Sequence, residues 1–286
     1  MTHPFLRPLL ATEHSIYDGG AETLALALAR ACQLRLHAVL PMLSNPEFQA
    51  VAPQVAARAD AAAAERRESL EAMARAQDVE LSVRVREGPA IHEIFVRAAR
   101  EIEADLIVVR RRGRKGLLAN MLVGDMVGKL VASAPCSVLI VPRAARLWLR
   151  GVLLVVEAGG PPDAVARGAA MHAARLAAAI ATRCALPLWL VAALTTDAGD
   201  AQAQQMLDAL SAPLTAGGAA VRSLVARGAL HEVALRAAAE QGCDLLVLAR
   251  DAPDAQGRSR GWSSGRAQKA IGAVECPVLL AVRSPT

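Results

Sequence analysis

Short apolar runs alternate with longer stretches whose apolar residues recur at helical spacing, and the alternation continues along the whole chain. Strands are predicted near 7–12, 34–41, 80–86, 105–110 and 137–142, with helices near 19–32, 53–77, 89–102 and 118–133. Ile91, Ile94, Phe95 and Ala98 trace one face of such a helix. The same order then returns, with strands near 151–156, 186–194, 220–226, 244–249 and 277–282. The strand runs are near-continuous in Val, Leu and Ile, the pattern of parallel strands buried on both faces. Right-handed crossovers then give a Rossmann-like, doubly wound α/β fold: a five-stranded parallel sheet in each half, with helices on both faces. A ligand is expected at the C-terminal ends of its strands.

The two series also share residues. GPAIHEIFVRAAREIEADLIVVR (Gly88–Arg110) matches GALHEVALRAAAEQGCDLLVLAR (Gly228–Arg250), and APCSVLIVPR (Ala134–Arg143) matches VECPVLLAVR (Val274–Arg283). CQLRLHAV (Cys32–Val39) pairs with CALPLWLV (Cys184–Val191), and LLATE (Leu9–Glu13) with LLVVE (Leu153–Glu157). Four blocks recurring in order point to a duplicated unit. The joint falls in Pro142–Arg150, dividing the chain into domains 1–145 and 146–286.

Composition narrows the function classes. Of 286 residues, 54% are hydrophobic and 21% charged, a globular balance. The longest stretch without Asp, Glu, Lys or Arg, Cys184–Thr196, is well short of the ~18 apolar residues of a membrane span. MTHPFLRPLLATEHS lacks a basic head before its apolar run and meets Glu13 early, unlike a secretory signal. The five cysteines show no CxxC or zinc-type spacing, so they read as buried small hydrophobes in a reduced, cytoplasmic setting. Aromatic residues at 2% disfavour base-stacking platforms for nucleic acid. The net charge of +5 equals the charge of Arg110, Arg111, Arg112, Arg114 and Lys115, which leaves the rest of the chain balanced. This basic loop follows the fourth strand, at the edge where ligands are expected. It reads as a clamp on an anion, as a weak nucleic-acid contact, or as a solvated charge run paired with Glu13, Asp125 and neighbours.

LLATE after a basic start, the Gly88 turn into IHEIFVRAA, ADLIVV, a Gly-containing loop, VGDMVGKLV and APCSVLIVPR together resemble the universal stress protein family, over nearly the whole chain. The resemblance implies five-stranded domains of an adenine-nucleotide fold that dimerise through their last strands. A tandem chain is then an internal pseudo-dimer in which CSVLIVP pairs with CPVLLAV, with a homodimer of the whole chain left open.

Nucleotide-binding members carry Gly-x-x-Gly, nine residues, then Gly-Ser or Gly-Thr, with an Asp ending the first strand. Their glycines let backbone N–H groups approach phosphate, and the next helix N-terminus favours the anion. The chain departs from that pattern. Seven residues separate Gly116 from Gly124 and ten separate Gly113 from Gly124, while Asp125 stands where a hydroxyl would donate. Glu13 replaces the strand-end Asp, and His14 follows it. In the second half Gly257, Gly261 and Gly265 lack the spacing, although Glu157 again follows the first strand. The residues expected to bind a ligand are therefore Glu13, His14, Arg111, Arg112, Gly113, Arg114, Gly116, Gly124 and Asp125. ATP or another anionic small ligand is the expected class.

Catalytic motifs are weak. Gly261–Gly265 satisfies G-x-S-x-G, yet no His follows His231 to complete a triad. GDMVGKL lacks the P-loop spacing, and His92-Glu93 and His231-Glu232 lack the second His of a zinc helix, leaving helix-start roles for the two Glu residues. No catalytic or metal-binding residue is assigned. The favoured reading is a stress-response protein that acts by binding and regulation. The alternatives are a scaffold with vestigial pockets or a slow nucleotide hydrolase.

Overall fold

A computed structural model describes residues 3–43, 53–111, 124–158, 164–194, 199–251 and 265–283. The first half runs β1 (Pro8–Ala11), α1 (Gly19–Cys32), β2 (Leu36–Leu43), α2 (Pro53–Ala76), β3 (Leu81–Gly88), α3 (Ile91–Glu101), β4 (Leu106–Arg110), α4 (Asp125–Ser133) and β5 (Ser137–Val141). The second repeats it as β6 (Val152–Ala158), α5 (Ala164–Arg183), β7 (Leu188–Leu194), α6 (Asp200–Ala216), β8 (Val221–Arg227), α7 (Leu230–Glu240), β9 (Leu245–Asp251), α8 (Arg266–Ala273) and β10 (Val278–Arg283).

All ten strands form one sheet in the order β3-β2-β1-β4-β5-β10-β9-β6-β7-β8. Pairing is parallel within each half and antiparallel only at β5–β10. There Leu139 faces Leu279, with Ile140 opposite Val278 and Val138 opposite Leu280. Because Leu139 and Leu279 are equivalent in the repeat, this register puts a pseudo-two-fold axis through that pair. The last-strand pairing implied by the resemblance is what the chain adopts.

Successive strand residues point to opposite faces, and the core divides accordingly. One layer gathers Leu10, Leu106, Val108, Leu139, Leu154, Val247 and Leu279 beneath α1, α2, α5 and α6, through residues such as Leu24, Leu70, Ala177 and Leu207. The other gathers Leu9, Ile107, Ile140, Leu153, Leu246 and Leu280 against α3, α4, α7 and α8, through Phe95, Leu130, Val233 and Ile271. Each layer runs across both halves without a break. The edge strands β3 and β8 carry Arg84, Arg86, Arg222 and Arg227, charges that discourage further strand addition.

Two further symmetric devices hold the frame. Asp105, just before β4, accepts the backbone N–H groups of Leu6 (2.5 Å) and Arg7 (3.0 Å). Asp244 does the same for Leu149 (2.8 Å) and Arg150 (3.0 Å). Cys136 and Cys243 are buried and Cys32 and Cys276 half-buried, whereas Cys184, past the end of α5, is exposed, against the expectation that all five are buried. Burial pushes the thiols of Cys136 and Cys243 up to about 12 and that of Cys276 to about 11. Trp148, in the joint between the halves, is buried. No helix among the described residues is long and apolar enough to cross a membrane.

Candidate functional site

The first crevice lies beyond the C-terminal ends of β1 and β4. β1 ends at Ala11, and Thr12, Glu13, His14 and Ser15 lead into α1. The turn is sharp enough to hold His14 at a φ of 49°. Asp18, the cap of α1, is 1% exposed and accepts from the Ser15 N–H (2.9 Å) and hydroxyl (2.5 Å).

Into this turn comes Arg110, the last residue of β4 and 3% exposed. Its Nη1 donates to Asp18 Oδ2 at 2.5 Å and Ser15 Oγ at 2.6 Å, and its Nη2 donates to Glu13. A buried guanidinium flanked by two carboxylates is compensated; alone it would cost several kcal/mol. Beside it, Glu22 is 3% exposed and accepts from Thr12 Oγ1 at 2.6 Å, while its Oε1 lies 2.9 Å from His14 Nδ1. The His14 ring continues to Ser69 Oγ on α2, 2.9 Å from Nε2. Glu13 and His14 thus come together, joined by Asp18, Glu22 and Arg110. None of those three stands among the ligand-binding residues expected from the sequence.

The basic loop divides. Arg110 is committed inward, as described. Arg111 turns toward the other half, where its Nη1 donates to the carbonyls of Ile271 (2.7 Å) and Val274 (2.5 Å). Burial lowers its pKa, with Cys276 and Glu275 pulling the other way. Arg112, Gly113, Arg114, Lys115 and Gly116 lie outside the described residues. Gly124 precedes α4, and Asp125 opens it with an 83% exposed side chain paired to Lys129 at 2.9 Å. A carboxylate there already occupies the positive end of the helix dipole that an anion would seek.

The second crevice is built differently. Ala249 stands where Arg110 does, because Ile107 faces Val138 as Leu246 faces Val278. The strand-end acid, Glu157, instead takes Arg266 at 2.9 Å, the first residue of α8 after Gly265 at a φ of 69°. The same registers make Arg250 the counterpart of Arg111, one residue away from the end-to-end sequence match. The same 139-residue offset relates Asp105 to Asp244 in the sequence. Trp262–Ser264, including the Ser of the G-x-S-x-G match, lies outside the described residues. The helix-start role of Glu232 is visible in its acceptance of the Ala229 N–H at 3.0 Å.

Around the first crevice, Ile16 (74% exposed) and Tyr17 follow β1 and Leu43 ends β2, so three apolar side chains reach solvent from loops on one sheet edge. Two open depressions lie elsewhere. One of about 510 Å³ is lined by Asp200, Gln204 and Arg227, and one of about 390 Å³ sits where the halves meet, lined by Phe5, Asp105, Cys136 and His172. Neither is lined by Glu13, Asp18, Arg110 or Glu157, and we place the candidate site by its charges and by the strand ends. Among the described residues, no group of three or more His, Cys, Asp or Glu is placed to hold a metal ion.

Comparison with known proteins supplies the context. Residues 6–142 match the model of the universal stress protein family. No curated protein sequence matches. Among solved structures, the functionally unknown protein PA1789 from Pseudomonas aeruginosa PAO1 is 18% identical, with 98% of this chain and 93% of that one covered and a TM-score of 0.69. A putative universal stress protein from Pseudomonas aeruginosa UCBPP-PA14 is 17% identical over 97% and 93%, with a TM-score of 0.65. A universal stress protein from Archaeoglobus fulgidus DSM 4304 is 13% identical over 96% and 98%, with a TM-score of 0.74. At these identities the likeness is one of fold, and it extends over both halves.

Proposed function

We propose, on the match of residues 6–142 to the universal stress protein family, that the chain acts in stress response by binding and conformational regulation, with the first half as the ligand-binding half. The observation that carries this reading is the ion network beneath the first crevice. Glu13 and Asp18 hold Arg110, and Glu22 holds Thr12 and His14. Acids committed in this way make a fixed polar floor and are poorly placed to take a proton from water, which favours binding over turnover.

In this reading the ligand is an adenine nucleotide such as ATP, or another anionic small molecule, in a cytoplasmic setting. Ile16, Tyr17 and Leu43 offer it apolar surface. Glu13 meets its base or ribose through the oxygen that Arg110 leaves unused, beside His14. Gly113, Gly116 and Gly124 give backbone access to phosphate, and Arg112, Arg114 and Lys115 supply the charge. Arg111 supports the loop from across the interface, and Asp125 turns to Lys129. The domains divide at 145/146, and the second is the scaffold on which the first is assembled. The Glu157–Arg266 ion pair favours a second reading, in which both crevices are self-occupied and the protein serves only as an adaptor.

Calorimetric titration of nucleotide-stripped protein with ATP, with and without magnesium, separates these readings. Heat at millimolar ATP without phosphate release is the expected result. No heat would leave the adaptor, and released phosphate the hydrolase. Replacing Arg112 and Arg114 together by Ala should weaken ATP binding about ten- to a hundredfold, the loss of two charge-assisted contacts. Unchanged affinity would remove the clamp.

A further inference from the structure

Arg111 and Arg250 hold equivalent places, each four residues beyond a matched pair of the strand register: Ile107 with Val138, and Leu246 with Val278. Both cross the pseudo-two-fold axis. Arg111 Nη1 donates to Ile271 O (2.7 Å) and Val274 O (2.5 Å), at the C-terminal end of α8. Arg250, 4% exposed, donates from Nη2 to Ala134 O (2.8 Å), just past the C-terminal end of α4. Ala134 and Val274 are themselves equivalent, each the residue after its helix and two before a cysteine. Helix C-termini present carbonyls without intrahelical partners and the negative end of the dipole, and a guanidinium answers both needs.

At their other ends the two helices differ. α8 begins with Arg266, which holds Glu157 in the second crevice, whereas α4 begins after Gly124 with Asp125, whose side chain pairs with Lys129 on the same helix. We infer that the two halves are mechanically coupled through these crossed arginine clasps: the last helix of each half senses the position of the other half's fourth-strand end. The contact chain runs from Arg111 through α8 to Glu157, and from Arg250 through α4 to Asp125. The helices have eight and nine residues, about 12–14 Å at 1.5 Å per residue, and each is packed into the shared core as one short rod. Arg111 directly follows β4 and Arg250 lies at the end of β9, so a displacement of either strand end pulls on a helix of the opposite half. The coupling requires no particular ligand and stands apart from the proposed nucleotide site.

Hydrogen exchange measured by mass spectrometry on the full chain tests it, using R111A and R250A beside the charge-keeping R111K and R250K. R111A is expected to speed exchange about tenfold across residues 266–274 and near Glu157, and R250A to do so across 125–134. The lysine variants should recover part of the protection. Amides of β1 and β7 report whether the fold is intact. Changes confined to the altered residue's own strand, with the opposite helix unmoved and β1 and β7 still protected, would overturn the coupling. Should either alanine variant lose protection everywhere, the lysine variants decide by the same comparison of own strand against opposite helix.

Discussion

Arg110 is the residue on which the first crevice turns. It is buried against Asp18, itself 1% exposed, so each charge depends on the other for compensation. Replacing Arg110 by Met should destabilise the chain by about 3–5 kcal/mol, because Asp18 is left charged and buried. Adding Asp18→Asn should return much of that loss. Urea denaturation of the two variants measures both numbers, and equal stability of single and double variants would refute the dependence. His172 gives a second test. Burial lowers its pKa from 6.5, with Arg283 and Arg175 acting in the same direction and the Val282 backbone opposing them. The folded ring therefore stays neutral below 6.5 while the unfolded one takes a proton. Its contribution to stability is present above that pH and is lost as pH falls through the depressed value. A His172→Gln variant should lose less stability on acidification than the parent, read from melting temperatures across pH 7 to 5. Little of this was legible in the sequence. Five neighbouring cations look alike in a string, and only the end of β4 distinguishes the one that turns inward from the one that crosses to the other half.

Elements were far more legible than their side chains' partners. The apolar runs located every strand to within a few residues, and most sharply the central ones, where burial on both faces leaves little room for a polar position. Helix interiors were located by periodicity in the same way. What periodicity cannot read is how closely two backbones approach. A Cβ on Gly20, in the first turn of α1, would lie 2.4 Å from the Arg143 carbonyl oxygen and 2.6 Å from that of Pro142. Gly128, in the middle of α4, has nothing within 4 Å of the same atom. The same substitution should therefore have opposite signs. Gly128→Ala should stabilise by about 1 kcal/mol through helix propensity. Gly20→Ala should cost about 1–3 kcal/mol through forced backbone movement. Thermal denaturation of the pair checks both, and a stabilised Gly20→Ala would show that the approach of β5's exit to α1 is not rigid.

At the scale of the molecule, the sheet is continuous because β5 and β10 each remove the other's open edge. A fragment of residues 1–145 would expose β5, whose five residues are all buried in the intact chain. Such a fragment should self-associate through that strand, giving concentration-dependent dimers in sedimentation, whereas the intact chain has no such need. A fragment that stays folded and monomeric would count against last-strand pairing as the source of assembly. The repeat made the pairing readable in advance. The crossed arginines were not, since their partners are backbone carbonyls that any residue could supply.

The Leu139–Leu279 axis has one more consequence. In a symmetric assembly of two identical chains, every inherited change is made twice, and a change that suits one cleft is forced on its twin. Joining the halves removes that obligation. Arg110 has Ala249 as its counterpart, and Arg266, which holds Glu157, has Met126. Inheritance has thus been free to specialise one side while the other keeps the shared architecture standing.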